Sequence, residues 1–482
     1  MGLVGWLLLG ILTIIIIFLL VLVVRAVNFK PPVTTPPVST PVEVDAAQFT
    51  ERLANLIRCQ TVSYDDPALE DAAEFEKFRQ LLVQQYPHVA QTAPPERIGP
   101  TGLLFAIPGQ SAATPLVFMA HYDVVPAEAE AWQQPPFAGV LLDGSLWGRG
   151  TLDTKTTLFG VMEAADRLLA AGFIPQNNWY LAFSGDEETA GASAPAIVQT
   201  LQQRGVTPAM VLDEGGAIVE NVFPGVAQPC ALIGIAEKGL MDLNLVIEGE
   251  GGHASSPPPH TLIGRLAQAV VKIENRAFPA RLTKAVAEML DTLGRHSSFV
   301  YKLIFANLWC FLPVFNSITR KAGGELNSMM RTTCAFTMME GSQAHNVLPP
   351  KAQMTANLRL IGGDTPQSAV QYLQSVVGDP DIRFEISYAA EPSAQSRTDG
   401  PYWELLKNAI GQTWPEALVS PYLMVAASDS RHYSSFCDGV YRFSAMALSK
   451  EEREEIHGHN ERIPVETMVR VVQFYVRLLS QC

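Results

Sequence analysis

Three apolar runs that each end on a histidine or a carboxylate constrain this chain more than any other feature. Leu116–Ala120 (LVFMA) is followed by His121, Trp179–Phe183 (WYLAF) runs into Gly185-Asp186-Glu187-Glu188, and Met210–Leu212 (MVL) ends at Asp213. Short, wholly apolar runs read as strands buried on both faces, the pattern of a sheet covered by crossover helices. Between the first two, Leu158, Val161, Met162, Ala165, Leu168 and Leu169 share one face of a helix, with Gly172 as its stop. The expected class is α/β: a mixed sheet flanked by helices. Ligands bind at the carboxyl ends of strands in such sheets, so three ends carrying metal- or proton-binding side chains point to a site there.

With 482 residues the chain exceeds one ordinary core, and two domains plus an appendage are expected. The appendage is N-terminal. Leu3 to Val24 is unbroken apolar or small sequence, and at about 1.5 Å per residue it reaches across a bilayer core of roughly 30 Å. A cleaved signal peptide is the competing reading. The length, the lack of a basic segment ahead of it, and Val23-Val24-Arg25 where small residues would mark a cleavage site favour an uncleaved single-pass anchor. Arg25 and Lys30 follow the span and point to a body on the cytoplasmic side, although two charges are too few to fix the side. Residues 30–41 (KPPVTTPPVSTP) read as an extended spacer. The net charge of −14 argues against nucleic acid as a partner. The six cysteines form no CxxC pair and read as structural thiols.

The expected division is an anchor (1–24), a linker (25–47), a catalytic domain in two parts (48–236 and 392–482) and an inserted α+β domain (237–391). The insertion shows as a change of pattern. Leu240–Ile247 alternates around polar residues, a Gly/His/Pro-rich turn and a helix from Thr261 follow, and strand-like runs recur at 333–338, 352–360 and 382–388. The final helix is expected over 465–479.

Five places along the chain carry chemistry. In His121-Tyr122-Asp123 the carboxylate can orient the imidazole and leave its other nitrogen for a metal, although alone this reads as well as a satisfied loop histidine. Asp153, after the glycine-rich turn of GRGTLDTK, can bridge two cations through its two oxygens or serve as a helix cap. Glu187-Glu188 is either a solvated acidic turn or a pair in which one binds metal and the other takes a proton from water. Asp213 and the IHGHNE segment at 456–461 complete the set. His121, Asp153, Glu188, Asp213 and His457 thus offer two histidines and three carboxylates, two terminal ligands per metal plus one bridge, which suits catalytic zinc rather than a structural zinc site.

HYDVVP at 121–126, WGRGTLDTK at 147–155, GDEETAG at 185–191, DEGG at 213–216, GGHASSPP at 251–258 and HGHNER at 457–462 together resemble the motif series of the aminoacylase/carboxypeptidase S metallopeptidases, peptidase family M20. The match runs in order from about residue 48 to the C-terminus. The resemblance implies a zinc-peptidase-like catalytic domain with an inserted lid/dimerisation domain, and two Zn²⁺ per chain. His121 and Asp213 would hold one zinc, Glu188 and His457 the other, and Asp153 would bridge them. Asp123 would orient His121, Glu187 would be the general base, and His253 would bond the developing oxyanion, often from a partner subunit. Asn346 and Arg359 match positions that contact substrate, and Arg431 adds a second guanidinium. The same resemblance implies a cis peptide at Asp153–Thr154 and a homodimer through the lid.

The implied function is hydrolysis of an amide bond next to a free carboxylate, since a guanidinium forks well onto that group. A metallocarboxypeptidase acting on small peptides is the first reading. An N-acyl-amino-acid hydrolase/synthase, with long acyl chains in scope, is the second, and a catalytically silent binding module the third. The second reading draws on residues 299–315 (FVYKLIFANLWCFLPVF), whose one charge is Lys302. This run reads as a buried lid helix or dimer face, or as the wall of an acyl channel.

Overall fold

Leu116–Ala120 lies inside a strand, Ser111–His121, whose first four residues are exposed and whose last seven are buried. Its side chains alternate between two cores. Leu116, Phe118 and Ala120 pack with residues of helices Ala46–Ile57, Lys155–Ala170 and Val465–Leu479, while Val117 and Met119 pack with residues of helix Ser193–Gln203. That double burial is why the run is apolar throughout. Each fully buried large side chain contributes roughly 1.5–3 kcal/mol.

This computed structural model describes residues 2–32, 37, 39, 41–221, 223 and 225–482; positions 33–36, 38 and 40 of the expected spacer lie outside the described residues. Eight strands form a large mixed sheet. Their order is Glu96–Ile98, Gly102–Ile107, Asn177–Ser184, Ser111–His121, Met210–Val219, Val440–Leu448, Cys230–Glu237 and Leu418–Met424. The strands at 177–184, 111–121 and 210–219 are parallel neighbours, with His121 opposite Ser184, so their carboxyl ends emerge at one edge. Helix Lys155–Ala170 connects two of them and closes as expected, with Gly172 at φ +76°.

The third run does not end at Asp213. Its strand continues to Val219, but the register with strand 440–448 slips between Asp213 and Gly216. Gly215 stands at φ +132°, and a Cβ on Gly216 would meet the Leu232 carbonyl oxygen at 1.9 Å. Two glycines therefore permit a bulge that aims Asp213 away from the ladder.

A second, antiparallel sheet orders Thr333–Glu340, Lys351–Leu360, Gly239–Glu248 and Arg383–Ala390. Leu243, Leu245, Leu266, Leu358 and Leu373 share its separate core with helices Leu262–Asn275 and Pro366–Val377. Residues 284–330 fall inside the 237–391 segment yet behave differently. Met289, Leu293, Phe305 and Met329 join the core of the eight-stranded sheet instead.

The N-terminal helix, Leu3–Asn28, contains an 18-residue stretch of mean hydropathy 3.5 and buries only Leu22 and Ala26. The 299–315 run is not one buried lid helix. It divides into Phe299–Phe305 and Leu308–Ala322, bent by 104° to one another, with Phe305 alone of the shorter helix buried. Among the described spacer residues, Ser39 donates to the Gln412 carbonyl, so this part of the chain runs along the body. All six cysteines are free thiols.

Candidate active site

Asp153 sits in the turn between strand Ser145–Trp147 and helix Lys155–Ala170, and the Asp153–Thr154 peptide is cis, as the motif resemblance implies. The turn is held by a residue from the far end of the chain. Glu461, fully buried, accepts through Oε1 from the Leu152 and Asp153 amides at 2.7 and 3.3 Å, and through Oε2 from Gly150 N at 2.9 Å and Arg149 Nη1 at 2.8 Å. Burial pushes its carboxyl up. With both oxygens taken by donors there is nowhere for a proton to sit, and the carboxylate fills the position.

Asp153 then meets a different imidazole on each oxygen. His121 Nε2 lies 3.0 Å from Oδ1, and His457 Nε2 lies 3.1 Å from Oδ2. His457 Nε2 is also 3.1 Å from Glu188, and ligand atoms of His121, Asp153 and Glu188 all fall within 4.8 Å of one another. The other His121 nitrogen, Nδ1, faces the Asp123 carbonyl oxygen at 3.1 Å and its Oδ1 at 3.3 Å. Asp123 is fixed in turn by Ser63 Oγ at 2.8 Å and the Glu188 amide at 3.1 Å. His457 reaches the cluster from a loop that takes left-handed φ at both His457 and Asn460. Glu187 lies 3.9 Å from His121 Nε2.

Asp213 is buried, with its Oδ2 accepting from Ser430 N at 2.9 Å; among the described hydrogen bonds and ion pairs, none joins it to His121. The loop carrying Ser430 is anchored from below. Glu237 accepts from Ser428 Oγ at 2.8 Å and from Arg442 Nε, and all three residues are buried. The same loop presents Asp429, which accepts from Ser184 Oγ at 2.5 Å.

The electrostatics favour positive charge at this place. Burial pulls the His121 imidazole down, but hydrogen bonds with Asp123 and Asp153 outweigh it and hold it well above the usual range. His457 is pushed up to about 10 by hydrogen bonds to Asp153 and Glu188. Burial pushes Glu187 well above the usual carboxylate range against the pull of His121, with Asp429, Glu188 and Asp123 adding repulsion. Burial likewise lifts Asp429 to about 7. Asp123, Asp153, Glu187, Glu188 and Asp429 gather about His121 and His457, more carboxylates than imidazoles, and the N/O donor set fits hard to borderline divalent cations.

The remaining sequence candidates lie in the second sheet or near its junction. His253 and Asn346 are brought together by a two-stranded ladder in which His253 pairs with Val347 and the Ala254 amide donates to the Asn346 carbonyl. His253 is exposed, and its Nδ1 bonds to Ser255 rather than to the cluster. Arg359 is held below the usual range by burial, with the charge of Arg431 adding. Lys238 reaches Thr333, the ladder partner of Arg359, at 3.4 Å. It donates to the Ser328 and Arg331 carbonyls, and burial, with Arg359 adding, pushes it down to about 7. Glu461, Ser63, Asp429 and Lys238 are participants that motif reading missed. Glu461 lies inside the HGHNER motif without having been given a role, Asp429 is two residues before the candidate Arg431, and Ser63 has no sequence signal.

The model of peptidase family M20/M25/M40 matches residues 117–481. An N-fatty-acyl-amino acid synthase/hydrolase of Xenopus tropicalis is 34% identical over 91% of this chain and 86% of its own length. A probable carboxypeptidase S-like protein of Dictyostelium discoideum is 32% identical over 96% of this chain and 91% of its own. In structure, an M20 family metallo-carboxypeptidase of Sulfolobus solfataricus superposes with a TM-score of 0.66 at 16% identity, covering 90% of this chain and 98% of that one.

Proposed function

This chain belongs to peptidase family M20/M25/M40 and is a hydrolytic enzyme; from that premise we propose that it is a two-zinc amidohydrolase cleaving the amide bond next to a free carboxylate, as a carboxypeptidase on small peptides. The observation that carries this reading is Asp153, whose two oxygens face two different imidazoles at 3.0 and 3.1 Å. A carboxylate so placed is arranged to be shared between two ions. His121 and Asp213 would hold one, Glu188 and His457 the other.

Bound divalent zinc supplies an acidified water and a Lewis-acid contact for the carbonyl. The protein's own groups do the rest. Glu187, raised by its surroundings, takes the proton of the attacking water and delivers it to the leaving amine. Asp123 holds His121 in one orientation through Nδ1. His253 donates to the oxyanion on closure of the lid, or from a second copy docked through it, which its exposed position in the two-stranded ladder supports. Arg359, with Asn346 and Arg431, receives the substrate carboxylate.

The identity of 34% to an N-fatty-acyl-amino acid synthase/hydrolase favours a second reading, in which the acyl group is a long chain and the bond cleaved is the same. We further read Leu3–Asn28 as a single-pass membrane anchor, supported by its length and its exposed apolar surface. The test is kcat/KM for dipeptides and N-acyl amino acids, each supplied as the free acid and as the C-terminal amide. Losing one partner of a buried charge pair predicts at least a roughly 100-fold drop for the amides, about 2.7 kcal/mol. Equal turnover of acid and amide would remove the carboxylate requirement.

A further inference from the structure

The bent pair of helices at 299–305 and 308–322 packs Phe305, Leu308, Leu312 and Phe315 on the main core and leaves other apolar side chains outside. In the longer helix Trp309, Val314 and Ile318 are 59%, 56% and 61% exposed, and Pro313 is exposed as well. Phe299 and Val300 at the start of the shorter helix are exposed as well. Large apolar side chains exposed together in one segment of a protein carrying a net charge of −14 call for a covering.

The elbow between the two helices is tied to the N-terminal helix. Arg25 Nε and Nη2 donate to the Ala306 carbonyl at 3.1 and 3.0 Å, capping the end of the shorter helix. Asn307, fully buried, donates through Nδ2 to the Leu22 carbonyl at 3.0 Å and to the Leu303 carbonyl at 2.9 Å. Farther along, Trp309 meets Phe18 edge-on, with ring centroids 5.9 Å apart. Phe18 precedes Arg25 by about 10 Å of helix at 1.5 Å per residue. If Arg25 marks the headgroup level, Trp309 lies beyond it on the hydrocarbon side. Irregular backbone is tolerated at that depth only when its polar groups are satisfied inside the protein, and the Arg25 and Asn307 bonds do that here. The longer helix ends on Arg320 and Lys321, cations suited to lipid headgroups.

We propose that the 299–322 elbow is embedded in the lipid bilayer alongside the N-terminal helix, a re-entrant foot whose Trp309, Val314 and Ile318 contact phospholipid acyl chains and which fixes the body against the membrane. This rests on the reading of Leu3–Asn28 as a span. The foot makes the attachment two-point, so the body does not swing freely on its spacer.

The test uses the full chain in phosphatidylcholine vesicles carrying radiolabelled lipid, with the photoreactive residue p-benzoylphenylalanine placed singly at Phe18, Trp309, Val314 or Ile174. Ile174, 62% exposed in the loop between helix 155–170 and strand 177–184, serves as the soluble control. Retained hydrolytic activity certifies folding of each variant. The expected result is lipid cross-linking from positions 18, 309 and 314, at least tenfold above position 174. Lipid labelling from 18 alone overturns the foot and leaves the anchor standing. Protein-to-protein cross-links from 309 and 314 in place of lipid labelling also overturn it, assigning these side chains to a contact with a second copy. Labelling from none of the positions removes the span, and the foot with it.

Discussion

Replacing Glu461 with glutamine changes one atom's chemistry and tests whether this buried carboxylate holds the Asp153 turn. Each Glu461 oxygen accepts from two donors: Leu152 N and Asp153 N on Oε1, Gly150 N and Arg149 Nη1 on Oε2. A glutamine must turn its NH₂ toward one of these pairs, so two donors lose their acceptor whichever way the amide faces. Arg149, 3% exposed, also loses its ionic partner. An unsatisfied buried donor costs about 1–3 kcal/mol, and breaking a buried ion pair from one side about 3–5 kcal/mol. These overlap because Arg149 enters both, so the expected destabilisation is about 3–5 kcal/mol. Urea denaturation of Glu461→Gln, Arg149→Met and the double variant measures it. The double variant should lose clearly less than the sum of the two single losses. A loss below about 1 kcal/mol in Glu461→Gln, or simple additivity, would refute the clamp.

Glu187→Gln should lower kcat by about 100- to 10,000-fold with metal content unchanged, because glutamine keeps the shape and cannot take a proton; elemental analysis beside turnover checks it. Glu188→Gln should lower both, and the opposite pattern would exchange the two roles. Lys238 is pushed down to about 7 from an ordinary value of 10.5. Between those values the unfolded chain binds the proton and the folded chain does not, so its contribution to stability rises with pH across pH 7 to 10.5 and is lost on acidification through 7. Relative to Lys238→Met, the natural protein should therefore gain about 2 kcal/mol between pH 7 and 9, read by urea denaturation at both pH values.

Much of this arrangement was legible because it depends on local pattern. Leu116–Ala120 and Trp179–Phe183 are apolar throughout because helices cover both faces of their strands, and the closeness of His121, Asp153, Glu188 and His457 follows from motifs that recur in order. What was not legible depends on distant partners. The continuation of the third strand past Asp213 turns on how closely Gly216 approaches Leu232, which no local window contains. The clamp on the Asp153 turn joins residues more than 300 positions apart. The 299–315 run carries an apolar composition that fits a buried helix as well as an outward-facing one. The difference is made by Asn307 and Ala306, whose polar groups bend the chain toward Leu22 and Arg25.

The central claim, that Asp153 is shared between two metal ions needed for amide hydrolysis, is tested most directly by metal titration. The full chain is stripped with a chelator, Zn²⁺ is added back in known amounts per chain, and hydrolysis of an N-acyl amino acid is followed. The expected result is activity that climbs to a plateau at two equivalents in the natural protein, while Asp153→Asn regains little at any ratio. A plateau at one equivalent, or full activity in the stripped protein, would contradict it.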